Sequence, residues 1–292
     1  MASSESKELF QAMFRLPTFE GEISFDTILK EVVKSTLGKD GISLDEFVNS
    51  KGIHLWNYFN KGQSHLKKIN TCSPVYTVIS DKYKIIKSTA KSNPKKYPPT
   101  KLQRFKSRPF ILKEIDKLNS REYEALACCV LKLLGAKKIY LTPPGNEAGI
   151  DFISVIDFGP EAHFLFGING PLRVIGQCKK YSTESQVSSI KEFNQTLSDV
   201  YSLTDKVKTV IPHWFRSAKG PIIGWMISHS GFQSGAVDRA KNYGLICSDS
   251  KDLAEVISIS RKFHGDLDNP SRALKISGEI KGVLENEEYN KK

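Results

Sequence analysis

Apolar residues recur at helical spacing through the first part of the chain and then change period. In "FDTILKEVVKSTLG" (25–38), Ile28, Leu29, Val32, Val33 and Leu37 share one helical face and Gly38 supplies a stop. "ISLDEFVNSKG" (42–52) opens on Ser43 with Glu46 three residues later, the pattern of a capping box, and ends at Gly52. "HLWNYFNKGQSHLKKIN" (54–70) predicts a third helix, interrupted at Gly62. In "PVYTVISDKYKIIKS" (74–88) apolar and polar positions alternate on both sides of Ser80-Asp81-Lys82, which predicts a hairpin. Residues 1–20 read as a short helical lead-in.

A second patterned region runs from about residue 113. "LNSREYEALACCVLKLLGAKK" (118–138) predicts an amphipathic helix, with Asn119 and Glu122 as its capping box and Gly135 as its end. Strands are predicted in "GIDFISVIDFG" (149–159), "HFLFGING" (163–170) and "RVIGQCKKY" (173–181). A helix over 186–203 places Val187, Ile190, Phe193, Leu197 and Val200 on one face, and "GPIIGWMISHS" (220–230) is apolar enough for a central strand. "SGAVDRAKNYG", "LICSD" and "SKDLAEVISISRKF" then read as helix, strand and helix. The order α-β-β-β-α-β-α-β-α predicts an α/β unit, a mixed sheet covered by helices.

Length and charge refine this picture. A chain of 292 residues with 39% hydrophobic and 26% charged residues suits about two domains. The net charge of +11 is concentrated: from Lys61 to Arg108 there are thirteen Lys and Arg residues against one acid, Asp81. That asymmetry points to a polyanionic partner. The expected division is a helical, winged-helix-like domain over 1–90, a basic linker rich in Pro and Lys over 91–112, an α/β domain over 113–264, and a polar tail over 265–292. Three helices followed by a hairpin is the order of a winged helix. Its third helix would present Asn57, Asn60, Gln63, His65, Lys67 and Lys68, and its wing Lys82 and Lys84, to DNA. Trp56, Tyr58 and Phe59 read as core.

Several function classes are disfavoured. "MASSESKELF" lacks the basic and apolar regions of a signal peptide, and no apolar run approaches the length of a spanning helix, so no membrane partner is expected. Five cysteines (Cys72, Cys128, Cys129, Cys178 and Cys247) form no C-x-x-C pair, which fits a reducing cytoplasm better than a disulfide framework or a zinc site. "TPPGNEAG" (142–149) lacks the Lys-Ser/Thr ending of a P-loop, and His213 and His229 have no metal-ligand spacing.

The candidate chemistry lies in three places. In "RVIGQCKKY" the period of two puts Ile175, Gln177, Lys179 and Tyr181 on one face, so an amide and an ammonium stand side by side at a strand end. Asp151 opens a strand two residues after Gly149, where a carboxylate can either bind a hard cation or close a turn. Glu122 and Glu124 are first-turn acids that favour the helix dipole, and one of them could reach across to the sheet.

Taken together, Tyr123-Glu124 on a helix, Gly149-Ile150-Asp151 after a loop and Gln177-Cys178-Lys179 on a strand resemble the F-E, G-x-D and Q-x-K motifs of the Mrr-type restriction endonuclease domain. That domain is a Q-x-K variant within the PD-(D/E)xK nuclease superfamily. "WMISHSGFQSGAVDRAKNYGLICSDSKDLAEV" is similar to the family's later strand, its S-G-F turn and the following helix, so the resemblance covers about residues 115–260.

The resemblance implies a restriction-endonuclease-like core that hydrolyses DNA phosphodiester bonds with Mg²⁺, or Mn²⁺ in its place. Asp151 would hold the metal, with the Gln177 side-chain oxygen or the Cys178 backbone carbonyl as further ligands. Lys179 would orient the attacking water, and Glu124 would bind metal waters or a second ion. Cys178 points to the opposite face and reads as packing. Two departures stand out, Tyr123 in place of Phe and a long hairpin around 159–171; as in other Q-x-K members, Gln177 stands where the wider superfamily has a second acid, which removes one negative charge. Double-stranded DNA is the implied partner, and cutting both strands favours a homodimer or higher homo-oligomer. Restriction of foreign DNA, with methylated DNA as one possible target, is the expected role. The alternatives are a structure-specific resolvase or repair nuclease, and a catalytically inactive DNA-binding regulator.

Overall fold

The computed structural model describes residues 4–13, 16, 19, 21–69, 76–88, 99–145, 148–157, 170–260 and 269–285. The side chains of 4, 63–69, 88, 99–106, 259, 269–270 and 272–273 lie outside this set. The chain forms two units, one of 1–113 with 263–273 and one of 114–262 with 274–292.

The first unit contains α1 (Ser4–Met13), β1 (Glu22–Ser24), α2 (Phe25–Leu37), α3 (Gly41–Ile69), β2 (Tyr76–Ser80) and β3 (Ile85–Ser88). The strands form an antiparallel sheet of order β1-β3-β2. Ser24 caps α2 by accepting from the Asp26 amide at 3.2 Å, and Gly38 closes it in the left-handed conformation at φ 65°. The core is aromatic: Phe25 lies 4.9 Å from Trp56, which stacks on Phe59 at 5.8 Å. At the hairpin tip, Asp81 Oδ1 accepts from Trp56 Nε1 at 2.8 Å and from Asn60 Nδ2 at 2.9 Å, which holds the turn against α3.

Three boundaries differ from those predicted. The helices expected over 42–52 and 54–70 are one continuous helix, which neither Gly52 nor Gly62 ends. A Cβ at Gly62 would lie 2.5 Å from the Phe10 ring, so this glycine admits α1. Ser43 sits inside the first turn and donates to the Asp40 carbonyl at 2.8 Å. The presumed linker is helical from residue 99 onward, in α4 (Pro99–Lys117). Pro99 stands at the first helical position, where a missing N–H costs nothing, and Ile111 and Leu112 are buried. Residues 91–98 lie outside the described residues. The presumed tail forms α11 (Asn269–Glu285), which buries Ile276, Ile280 and Val283 at spacings of four and three.

The second unit runs α5 (Ser120–Leu133), β4 (Ala136–Leu141), β5 (Phe152–Ile156), β6 (Leu172–Lys179), α6 (Val187–Ser202), α7 (Asp205–Lys208), α8 (His213–Ser217), β7 (Ile222–Ser228), α9 (Ser234–Asn242), β8 (Ile246–Asp249) and α10 (Ser250–Ile259). The sheet is mixed, as the element pattern predicts. Its order is β4-β5-β6-β7-β8, antiparallel through β6 and parallel from β6 to β8. The Asn119–Glu122 capping box starts α5. On one face Ile190, Phe193 and Leu197 of α6 and Ala236 and Ala240 of α9 cover Ile153, Ile175 and Met226. The other face carries α5 and α10 over Val174 and Trp225.

Strand β4 escapes the sequence pattern because Lys137 and Lys138 break its alternation, and a bulge there shifts the register. The strand expected over 163–170 falls outside the described residues, apart from Gly170. No helix among the described residues is long and apolar enough to cross a membrane.

Helix α10 begins with a reciprocal cap. The Asp249 carboxylate accepts from the Lys251 and Asp252 amides, and Asp252 Oδ2 accepts from the Asp249 amide at 2.9 Å. Burial, and next the adjacent Asp249 charge, push the Asp252 carboxyl up to about 8. An unfolded aspartate titrates near about 4, so the folded state retains a proton that the unfolded chain gives up. The Asp252 contribution to stability is therefore complete below about pH 4 and declines until about pH 8. Urea unfolding between pH 4 and 9 should show this decline, and Asp252→Asn should flatten it; an unchanged pH slope in the variant would rule the effect out.

Candidate active site

Four side chains suggested by the sequence converge where β5 begins and β6 ends. Antiparallel pairing sets Phe152 opposite Gly176 and Ile153 opposite Ile175. The Asp151 amide donates to the Gly176 carbonyl at 2.9 Å, extending that ladder by one residue. Its carboxylate turns to β6, where Oδ2 accepts from the Cys178 amide at 2.5 Å. Asp151 is 5% exposed, so this charge-assisted bond lies largely out of water. Gln177 donates its amide Nε2 to the Gly149 carbonyl at 3.1 Å, which leaves the side-chain oxygen as its remaining polar atom.

Two glycines make this approach possible. Gly149 has φ 82°, and a Cβ there would also lie 2.9 Å from Thr196 Oγ1. At Gly176 a Cβ would stand 1.8 Å from the Phe152 ring, which crosses the vacant position and packs edge-on against Trp225 at 5.6 Å.

Lys179 is partly exposed on the Gln177 face, its Nζ 5.9 Å from the centre of the Tyr181 ring. Its carbonyl accepts from the His229 amide at 2.9 Å, so β7 anchors its backbone. Lys180 turns to the α5 face, where its Nζ approaches the Asp116 carbonyl at 3.3 Å and the His229 ring at 3.2 Å. His229 Nδ1 lies 2.8 Å from Ser250 Oγ, which is 3.0 Å from the Tyr123 hydroxyl. Tyr123 is fully buried, so its departure from Phe adds a hydroxyl that has a partner.

Glu124 reaches the same region from α5, but it is paired. Arg121 Nη1 lies 2.8 Å from Glu124 Oε2 and donates to the Thr142 carbonyl at 2.7 Å. Buried Thr142 in turn donates its hydroxyl to the Ile150 and Asp151 carbonyls at 2.6 and 2.9 Å. Sequence reasoning overlooked Arg121 and Thr142. The i,i+3 spacing of Arg121 and Glu124 was a usable signal, whereas nothing local marks Thr142.

Cys178 and Cys128 meet on the α5 side of the sheet. Burial above all, and then the Asp151 and Glu124 charges, hold the Cys178 thiol well above the usual range; burial first and its neighbour Cys129 next do the same for Cys128. Neither thiol is a ready nucleophile.

Among the described residues no three His, Cys, Asp or Glu side chains gather into a metal-binding group. The site instead offers the Asp151 carboxylate, the Gln177 side-chain oxygen and the Cys178 carbonyl. All are hard oxygen donors, the type that Mg²⁺ and Mn²⁺ take and structural zinc does not.

Of the residues proposed to meet DNA, Asn57 is exposed on α3 and Lys82 is exposed at the hairpin tip. Lys84 lies 3.8 Å from Asp26 Oδ1, and Asn60 is held by Asp81. The side chains of Gln63, His65, Lys67 and Lys68 lie outside the described residues.

A mixed five-stranded sheet with helices on both faces, and with Asp151 beside Gln177-Cys178-Lys179, is the architecture of a restriction-endonuclease-like domain. Residues 115–257 match the Mrr catalytic family, described as restriction endonuclease, and this half of the chain belongs to that family. Two solved structures are similar. One is the MspJI restriction endonuclease in complex with a 27-mer oligonucleotide, at 16% identity and TM-score 0.38, covering 66% of this chain and 39% of that one. The other is the DNA modification-dependent restriction endonuclease AspBHI, at 17% identity and TM-score 0.40, covering 66% of this chain and 43% of that one. The chain thus spans about two-fifths of the length of each. No curated protein matches it.

Gly176→Ala should displace the Phe152 ring and cost about 1–3 kcal/mol, the usual range for overpacking. Urea unfolding measures this directly, and a wild-type midpoint would show that Phe152 has room to move.

Proposed function

We propose that the protein is a divalent-metal-dependent endonuclease that hydrolyses phosphodiester bonds of double-stranded DNA. The observation that carries this reading is the hydrogen-bonded junction of Asp151, Gln177 and Cys178, with the Lys179 ammonium one residue further along β6. Asp151, the Gln177 oxygen and the Cys178 carbonyl would hold the ion, Mg²⁺ or Mn²⁺ in its place. Bound there, the ion supplies Lewis-acid stabilisation of the phosphate and lowers the pKa of water.

The chain's own residues supply the rest. Lys179 Nζ donates hydrogen bonds to the attacking water and to a non-bridging phosphate oxygen, placing positive charge where negative charge accumulates during displacement. The backbone bond from the His229 amide keeps that lysine from drifting with the strand end. The buried position of Asp151 strengthens its interaction with any cation that enters.

The first unit is proposed as a winged-helix reader, on the order α-β-α-α-β-β and its antiparallel hairpin. There α3 would present Asn57, Gln63, His65, Lys67 and Lys68 to the bases, while Lys82 and Lys84 would meet phosphates. Residues 1–90 would form the reader and 113–264 the nuclease, acting in the cytoplasm as a homodimer or higher homo-oligomer that restricts foreign DNA.

The test is conversion of supercoiled plasmid, methylated and unmethylated, in Mg²⁺ and in EDTA. Wild type should cut only with metal, and Asp151→Ala and Lys179→Ala should each lose at least about a hundredfold in rate. An Asp151→Ala variant as fast as wild type would falsify the assignment. Absence of cleavage on every substrate would point to a DNA-binding regulator, and selective cutting of branched DNA to a resolvase.

A further inference from the structure

Arg121 is the charged neighbour of the site that no motif assigns. Its Nη1 contacts the Glu124 carboxylate at 2.8 Å and the Thr142 carbonyl at 2.7 Å. The Arg121 and Glu124 side chains are 26% and 14% exposed, so water and salt screen the pair less than a surface pair. Fully buried Thr142 continues the link by donating to the carbonyl of Asp151 itself. The guanidinium is therefore fixed in place by the strand connection that carries the metal-binding acid.

The charges around the site are consequently unusual for a nuclease with two metal ions. Asp151 and Glu124 are the acids, Gln177 is neutral, and Arg121 and Lys179 are cations. The formal charges cancel before any ion enters. Two divalent ions would bring four positive charges to a cluster whose own formal charges already sum to zero, and no third acidic, His or Cys ligand gathers there among the described residues. Coulomb repulsion from the fixed Arg121 guanidinium also opposes a second ion on the α5 side.

We propose, resting on the nuclease reading above, that Arg121 takes the electrostatic place of a second metal, so that the site binds a single divalent ion at Asp151. Arg121 is a positioning residue in this scheme. It neutralises Glu124 and braces the Thr142–Asp151 connection, and it does not touch the reacting atoms.

The experiment is Mn²⁺ titration of the full chain without DNA, followed by the paramagnetic resonance of the free ion. Wild type and Arg121→Lys should bind one Mn²⁺ per chain. Arg121→Gln removes the guanidinium charge beside Glu124 and should either bind Mn²⁺ about tenfold or more tightly or take up a second ion. Glu124→Gln should retain one ion at weaker affinity, and it carries the test if Arg121→Gln fails to fold, as judged by circular dichroism. Two ions in wild type, wild-type affinity in a folded Arg121→Gln, or complete loss of binding in Glu124→Gln would overturn the role of Arg121. Those outcomes leave the nuclease reading standing as long as Asp151→Asn abolishes binding. Failure of wild type to bind Mn²⁺, or binding that Asp151→Asn leaves unchanged, would instead remove the metal site and this inference with it.

Discussion

The short hydrogen bond from the Cys178 amide to the Asp151 carboxylate sets the geometry on which the site depends. An aspartate at the mouth of a strand would ordinarily be solvated or would cap a turn. Here the antiparallel register of β5 on β6 brings it against a backbone donor that lies between Gln177 and Lys179. A slip of one residue would turn Gln177 and Lys179 to the opposite face. Phe152 prevents that slip, because its ring fills the space that Gly176 leaves open and then packs on Trp225. Core packing and site geometry are thus parts of one constraint.

The opposite face of the sheet supplies rigidity of a different kind. Tyr123, Lys180, His229 and Ser250 form a chain of polar contacts tying α5, β6, β7 and α10 together at the same end of the sheet as the site. Partly buried polar groups of this kind are costly when unpaired, so a network that pairs them favours one arrangement of the four elements. Adjacent lysines therefore serve different purposes. Lys179 is held by its backbone with its side chain on the Gln177 face near Tyr181, while the Lys180 ammonium is drawn into the network.

The first unit shows the same coupling between a turn and a helix. One carboxylate oxygen of Asp81 gathers the Trp56 indole and the Asn60 amide, so the sole acid in a long basic stretch orients the hairpin. Asp81 is exposed, and these two bonds make it structural. Asn60, offered by the sequence as a base contact, is held by this turn.

Local physics made much of the protein legible in advance. Apolar periods of about 3.6 and 2, the Asn119–Glu122 cap and the apolar run of β7 determined the helices and most of the strands, because these signals act over a few residues. The Q-x-K alternation also placed Gln177 and Lys179 on one face without any long-range information. The boundaries were harder. Gly52 and Gly62 looked like stops, but both lie inside α3, and a glycine such as Gly62 that admits a neighbouring helix cannot be told from one that ends its own. Lys137 and Lys138 hid β4, whose strand character comes from pairing with β5. Only the tertiary structure decided the long-range partners of Asp151 and Arg121. Asp151 meets Cys178 across 27 residues, and Arg121 reaches Thr142 across 21. Contacts at such separations depend on register and helix placement, which are properties of the assembled sheet and leave no trace in any short stretch of the chain.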